Sequence, residues 1–183
     1  MSSEKVNFGV IGAGGIARRR TIPGMLQSRR CRVVAVMDVA GADQVAGEFN
    51  VPRAYSREAD LLADPEVQAV YIASPVHCHA RQIAQAARAG KHVLCEKPLT
   101  LTAAQARKAA QACRTRGVLL QEGYMMKFHA AHRKIKDLIE AGRIGKPVYL
   151  RAQLACWYPR MSGAWRQDLR KGGGGALIDM ASH

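Results

Sequence analysis

Val6-Asn7-Phe8-Gly9-Val10-Ile11-Gly12-Ala13-Gly14-Gly15-Ile16-Ala17 decides the fold. The run from Val6 to Ile11 is apolar with little alternation, which reads as a strand buried on both faces, as parallel strands are. It passes directly into G-x-G-x-x-A and then into a helical pattern, the context in which glycines at this spacing bind a dinucleotide. Gly12 permits the tight turn, Gly14 lets the backbone approach a pyrophosphate, and the small Ala17 lets the helix pack closely on the sheet. The helix start, with Gly15 and Ile16, turns its N–H groups and positive dipole end toward phosphates.

The same grammar continues outward to about residue 122. Strands are expected near Val33 to Asp38, Arg53 to Tyr55, Ala69 to Ala73, His92 to Glu96 and Val118 to Gln121. Helical patterns alternate with them at Ile16 to Gln27, Ala42 to Asn50, Arg57 to Ala63, His79 to Ala89 and Ala103 to Arg116. Thr102 with Gln105 has the form of a capping box, and Gly90 and Gly117 stand where helices end in a left-handed residue. Strands alternating with helices call for an α/β fold with a doubly wound parallel sheet and right-handed crossovers. Asp38 closes the second strand 26 positions after Gly12, where a carboxylate accepts hydrogen bonds from the adenosine ribose hydroxyls. Val39-Ala40-Gly41-Ala42 follows without Arg or Lys, so nothing local neutralises a 2′-phosphate and NAD is favoured over NADP.

Two further motifs fall at carboxyl ends of expected strands, where open α/β sheets bind ligands: Ser74-Pro75 and Glu96-Lys97-Pro98. The prolines hold the preceding residues extended, and Lys97 at such a position donates hydrogen bonds to a reacting oxygen. Beyond residue 122 the pattern changes. A helix is expected from about His129 to Ala141, ended by Gly142, then a strand over Val148 to Ala155, a loop with Trp157 and Trp165, and the run Gly172-Gly173-Gly174-Gly175. Asp179 and His183 lie four apart on a helical pattern and share a face. Spacing alone favours a solvated pair there.

Composition bounds the remaining classes. Apolar residues make up 48% of the 183, enough to offset chain entropy. No uncharged stretch reaches the roughly 18 apolar residues of a membrane span, and the start lacks the regions of a signal peptide, so a cytoplasmic protein is expected. Five widely spaced cysteines without a CxxC pair read as reduced core thiols. His77-Cys78-His79 and the pair His129 and His132 lack a matching second half, so no metal is expected. The net charge of +14 is spread along the chain, with 9, 8 and 11 Lys and Arg in residues 1–60, 61–120 and 121–183. A nucleic-acid arm would concentrate it.

Taken together, the glycine motif, Ser74-Pro75 with His79, Glu96-Lys97-Pro98, Ile139 to Gly145, Trp165-Arg166, and Gly173 to His183 resemble the Gfo/Idh/MocA oxidoreductases. The resemblance covers essentially the whole chain. It implies a Rossmann domain over residues 1–122, and over 123–183 the start of a second α/β domain with an open antiparallel sheet, the rest of which is not in this sequence. It implies that Gly12, Gly14, Gly15, Ile16, Asp38, Ser74, Pro75, His79, Glu96, Trp165 and Arg166 line the cofactor. Lys97 would lie beside nicotinamide and substrate oxygen, Asp179 would contact the substrate, and His183 would be the general base. The cofactor would be NAD, with NADP less favoured, and the substrate a sugar, cyclitol or sugar derivative. A homo-oligomer in the full-length parent and no membrane or nucleic-acid partner complete the expectation. Departures from the pattern are Val76, Lys127, Ala130 and Ala181. Two other readings stand beside it: a non-catalytic dinucleotide-binding or regulatory module, and nucleic-acid binding with steep salt dependence.

Overall fold

The computed structural model describes residues 5–181. Six parallel strands form one sheet: β1 (Val6–Ile11), β2 (Cys31–Met37), β3 (Arg53–Tyr55), β4 (Ala69–Ile72), β5 (His92–Cys95) and β6 (Leu120–Glu122). Their order is β3-β2-β1-β4-β5-β6. Every adjacent pair is parallel, as the uninterrupted apolar runs predict. The order reverses between β1 and β4, and the crevice beyond the strand ends at that reversal is where such sheets bind ligands.

One core lies on each face. Val10, Ala13, Ala17, Ile22, Val36, Val45 and Tyr71 pack under α1 (Ile22–Gln27) and α2 (Ala42–Phe49). On the other face Ile11, Val70, Ile72 and Val93 meet Leu61 and Leu62 of α3 (Glu58–Ala63), Ile83 and Ala86 of α4 (Val76–Arg88), and Ala109 and Cys113 of α5 (Ala103–Thr115). Half of the capping box forms: Thr102 Oγ1 accepts from Gln105 N–H at 3.2 Å, while Gln105 Oε1 accepts from Leu101 N–H at 3.2 Å, one residue before the cap. Gly90 and Gly117 follow α4 and α5 with φ of 71° and 65°.

The first helix departs from the expected uniform α-helix. Helical backbone begins at residue 15, but Ala17–Thr21 is a π-turn in which Ile22 N–H reaches the Ala17 carbonyl. Pro23 has no N–H to give an α-helical ladder, and its ring crowds the carbonyl four residues back, so a wider turn precedes it.

Beyond the sheet, α6 (Ala130–Glu140) begins at His129, whose Nδ1 accepts from Ala131 N–H at 3.3 Å. The strand expected over Val148 to Ala155 does not form: residues 147–161 carry no regular structure, and Val148 is 91% exposed. A strand draws its stability from a neighbour that takes up its N–H and C=O groups and from a core beneath it. Among the described residues no strand pairs with this segment, so the open antiparallel sheet expected from the resemblance is not seen there. Short helices α7 (Leu169–Gly172) and α8 (Gly175–Asp179) follow. Among the described residues no helix is long and apolar enough to cross a membrane.

Candidate active site

The phosphate-type turn is fixed by backbone geometry. Gly12 and Ala13 N–H groups both donate to the Met37 carbonyl, at 2.9 and 3.1 Å. Gly12 has φ of 80°, and a Cβ there would stand 2.7 Å from the Ser74 backbone nitrogen. Only glycine lets the turn after β1 touch the loop after β4. Asp38 then joins two turns: Oδ2 accepts from Gly14 N–H at 2.9 Å and Oδ1 from Ala40 N–H at 3.3 Å. Its carboxylate keeps acceptor positions beyond those two bonds. A Cβ on Gly15 would meet nothing within 4 Å, so the face of the helix start is open. An open backbone cradle at a helix N-terminus, with a fixed carboxylate beyond it, fits a dinucleotide pyrophosphate and ribose.

The opposite side of the switch point is built by the ends of β4 and β5. Ala73 N–H continues the ladder to the Ile11 carbonyl at 2.8 Å, and the Ser74 hydroxyl bonds the Gln82 side chain. Gln82 in turn donates to Glu58 at 3.1 Å. His79 is 1% exposed, with Nε2 at 2.8 Å from the Ser74 carbonyl and Nδ1 at 3.0 Å from the Pro98 carbonyl. It therefore braces the Ser74-Pro75 loop against the Lys97-Pro98 loop, whose peptide bond is cis. Burial pulls the His79 imidazole below its usual value, opposed by the backbone carbonyls it faces.

Lys97 is brought to Asp179 across 82 positions of sequence: its Nζ donates to the Asp179 carbonyl at 2.6 Å and to Oδ1 at 3.0 Å. The glycine run makes this approach possible. A Cβ on Gly172 would stand 2.6 Å from the Arg166 carbonyl oxygen, and one on Gly173 would stand 2.8 Å from Leu101 Cδ2. The segment thus seats on the loop before α5. Arg166 adds a second cation, Nε lying 3.5 Å from Asp179 Oδ1, and its guanidinium stacks 4.3 Å from the Trp165 ring centroid. A cavity of about 810 Å³ opens beside Arg166 and Asp179, lined also by Leu154, Tyr158, Leu177 and Met180. His183 lies outside the described residues.

Sequence reasoning missed a buried relay under these groups. Tyr71 of β4 is 2% exposed, and its hydroxyl meets Thr21 Oγ1 at 2.9 Å and Glu96 Oε1 at 2.6 Å. Glu96 Oε2 accepts from Lys97 N–H at 3.3 Å. Burial and the neighbouring Glu96 push the Tyr71 phenol far above its usual range, so it stays a donor. Glu122 at the end of β6 holds the same loop, Oε1 accepting from Leu99 N–H at 2.7 Å. The one available signal was a tyrosine inside an otherwise aliphatic strand, since a buried phenol needs a partner.

Comparison with known proteins follows the same division. A family model described as an oxidoreductase family with an NAD-binding Rossmann fold, GFO/IDH/MocA, matches residues 6–124, and a GFO/IDH/MocA C-terminal domain model matches residues 132–183. A 1,5-anhydro-D-fructose reductase from Ensifer adhaerens is 36% identical over 178 residues, 96% of this chain and 53% of the relative. A scyllo-inositol 2-dehydrogenase (NAD(+)) from Bacillus subtilis is 35% identical over 142 residues, 78% of this chain and 40% of that protein. The crystal structure of a 3-ketoreductase from Actinomadura kijaniata, in complex with NADP and TDP-benzene, superposes with a TM-score of 0.81 at 33% identity, covering 97% of this chain and 54% of that one. The chain thus spans about half the length of the relatives it matches.

Proposed function

The chain belongs to the GFO/IDH/MocA oxidoreductase family, and from that membership we propose that it supplies the cofactor cradle and the Lys97–Asp179 pair of an enzyme acting on a sugar, cyclitol or sugar-derivative carbinol. A bound nicotinamide supplies hydride acceptance or donation at its ring. The residues of this chain do the rest. Lys97 donates to the reacting oxygen, Asp179, with Arg166 beside it, orients the substrate at the cavity, and His183, the general base that the family resemblance implies, exchanges the hydroxyl proton. Residues 1–122 hold the cofactor, and residues 123–183 begin the substrate side. Buried free thiols at Cys95 and Cys113 suit a reducing, cytoplasmic setting.

The observation that carries this reading is the meeting of Lys97 Nζ with Asp179 Oδ1 at 3.0 Å, at the carboxyl edge of the sheet. A strand-end lysine and a distant aspartate converge beside a dinucleotide turn, which a mere surface pair would not require. The direct test is calorimetric titration of NAD and NADP into the chain, with polyol turnover assayed in the protein at the full length of its relatives. Tight binding of neither dinucleotide would refute the reading.

In this reading the position of Asp38 favours NAD. Its carboxylate is held by two N–H groups at the adenosine end, and a 2′-phosphate placed there would meet a fixed negative charge. Asp38→Ala is expected to weaken NAD about tenfold or more, the scale of about one charge-assisted hydrogen bond or two, while NADP weakens less. Equal losses for both dinucleotides would remove this role.

A further inference from the structure

Glu96 has a half-buried carboxylate with two donors and, among the described residues, no ion-pair partner. Its Oε1 accepts the Tyr71 hydroxyl at 2.6 Å and its Oε2 accepts Lys97 N–H at 3.3 Å. The nearby cation is committed elsewhere, because Lys97 Nζ is bonded to Asp179. Gly123 covers the group closely: a Cβ there would stand 3.8 Å from Glu96 Cδ and 3.3 Å from the Cys95 carbonyl oxygen. In a chain of net charge +14, the carboxyl edge of β5 and β6 carries two carboxylates, Glu96 and Glu122, held by neutral donors.

Topology says what lies opposite. With a pyrophosphate at the turn after β1 and the adenosine ribose toward Asp38 at the end of β2, the remaining half of a dinucleotide extends to the other side of β1, over the ends of β4 and β5. That half ends in a ring that is a pyridinium cation when oxidised and neutral when reduced. A carboxylate without an ion-pair partner attracts the cation and is indifferent to the neutral ring, an effect that grows as the local dielectric falls.

We propose that the charge of Glu96 tunes the bound cofactor toward its oxidised form from beside the nicotinamide subsite. This rests on the dinucleotide-binding reading above. Tyr71 and Thr21 line the back of the carboxylate without adding charge: the Thr21 hydroxyl meets the phenol at 2.9 Å and the phenol donates to Oε1.

Two substitutions separate charge from geometry, and the readout is binding rather than turnover. Glu96→Gln keeps an oxygen to accept from Tyr71 and removes the charge. Tyr71→Phe keeps the charge and removes the hydrogen bond. Dissociation constants for NAD⁺ and NADH are measured by titration on the chain and both variants. Glu96→Gln is expected to lower the preference for NAD⁺ over NADH by about tenfold, mostly through weaker NAD⁺ binding, while Tyr71→Phe leaves the ratio within about threefold. An unchanged ratio in Glu96→Gln, or the same change in both variants, overturns the inference. Should Glu96→Gln bind neither form, Glu96→Met, uncharged and of similar length, is held to the same criterion. A wild-type chain that binds neither NAD(H) nor NADP(H) overturns the proposed function and this inference together, whereas binding with an unmoved ratio overturns this inference alone.

Discussion

Replacing Lys97 by alanine in the protein at the full length of its relatives is expected to cut turnover of a polyol by about two or more powers of ten, the usual scale for an acid–base group. The side chain is only 11% exposed and reaches across the site to both the carbonyl and the carboxylate of Asp179. In the proposed function alanine leaves the reacting oxygen without this donor, and Asp179 loses two bonds while its contact to Arg166 at 3.5 Å stays. Cofactor affinity should change little, because the turn at Gly12 to Ala17 and its link through Asp38 take no support from Lys97 Nζ. The pair of measurements is therefore a steady-state kcat and a dissociation constant for NAD. A fall in kcat with affinity retained fits a group acting on the reacting atoms. Unchanged turnover removes Lys97 from the chemistry, and parallel loss of binding makes it a structural post instead.

What could be read from the sequence was local. The strand, turn, helix and acid from Val6 to Asp38 follow from short-range rules, because the hydrogen-bond partners Met37 and Asp38 of the turn stand at the end of β2, in register beside β1. Glu96-Lys97-Pro98 was legible for the same reason, as a motif at a strand end. Long-range partners were not. Tyr71 meets Thr21 at a separation of 50 residues and Glu96 at 25, and neither spacing has a period that a pattern search weighs. The enclosure of the His79 ring between the Ser74 and Pro98 carbonyls was equally illegible. Such burial depends on how α4 lies on two loops at once. The expected strand at Val148 to Ala155 failed for the opposite reason: its composition is sound, but pairing is a property of two segments, and among the described residues only one is present.

Gly12→Ala is the second large effect and tests the reading of the fold itself. Two costs coincide at this position. A φ of 80° strains any residue with a Cβ, and that Cβ would press on backbone atoms, the Ser74 nitrogen at 2.7 Å and the Ala73 carbonyl carbon at 2.9 Å, which have no rotamer to escape into. Strain and overpacking together are expected to cost about 2 to 5 kcal/mol, a fall in melting temperature of about 5 to 15 °C for a domain of this size. NAD binding should be lost with it, since separating the loops after β1 and β4 opens the floor of the crevice. Gly15→Ala is the control within the same motif. Its φ of 49° carries strain, but a Cβ there meets nothing within 4 Å, so its melting temperature should fall by only a few degrees, on the scale of about 1 kcal/mol. Its methyl group would instead project onto the open face that receives the pyrophosphate, and its main loss should be in affinity. Equal destabilisation by the two alanines would mean that contact between the two loops does not hold the crevice closed. A much larger loss at Gly12 would locate that contact as the joint that holds the turn after β1 against the loop after β4.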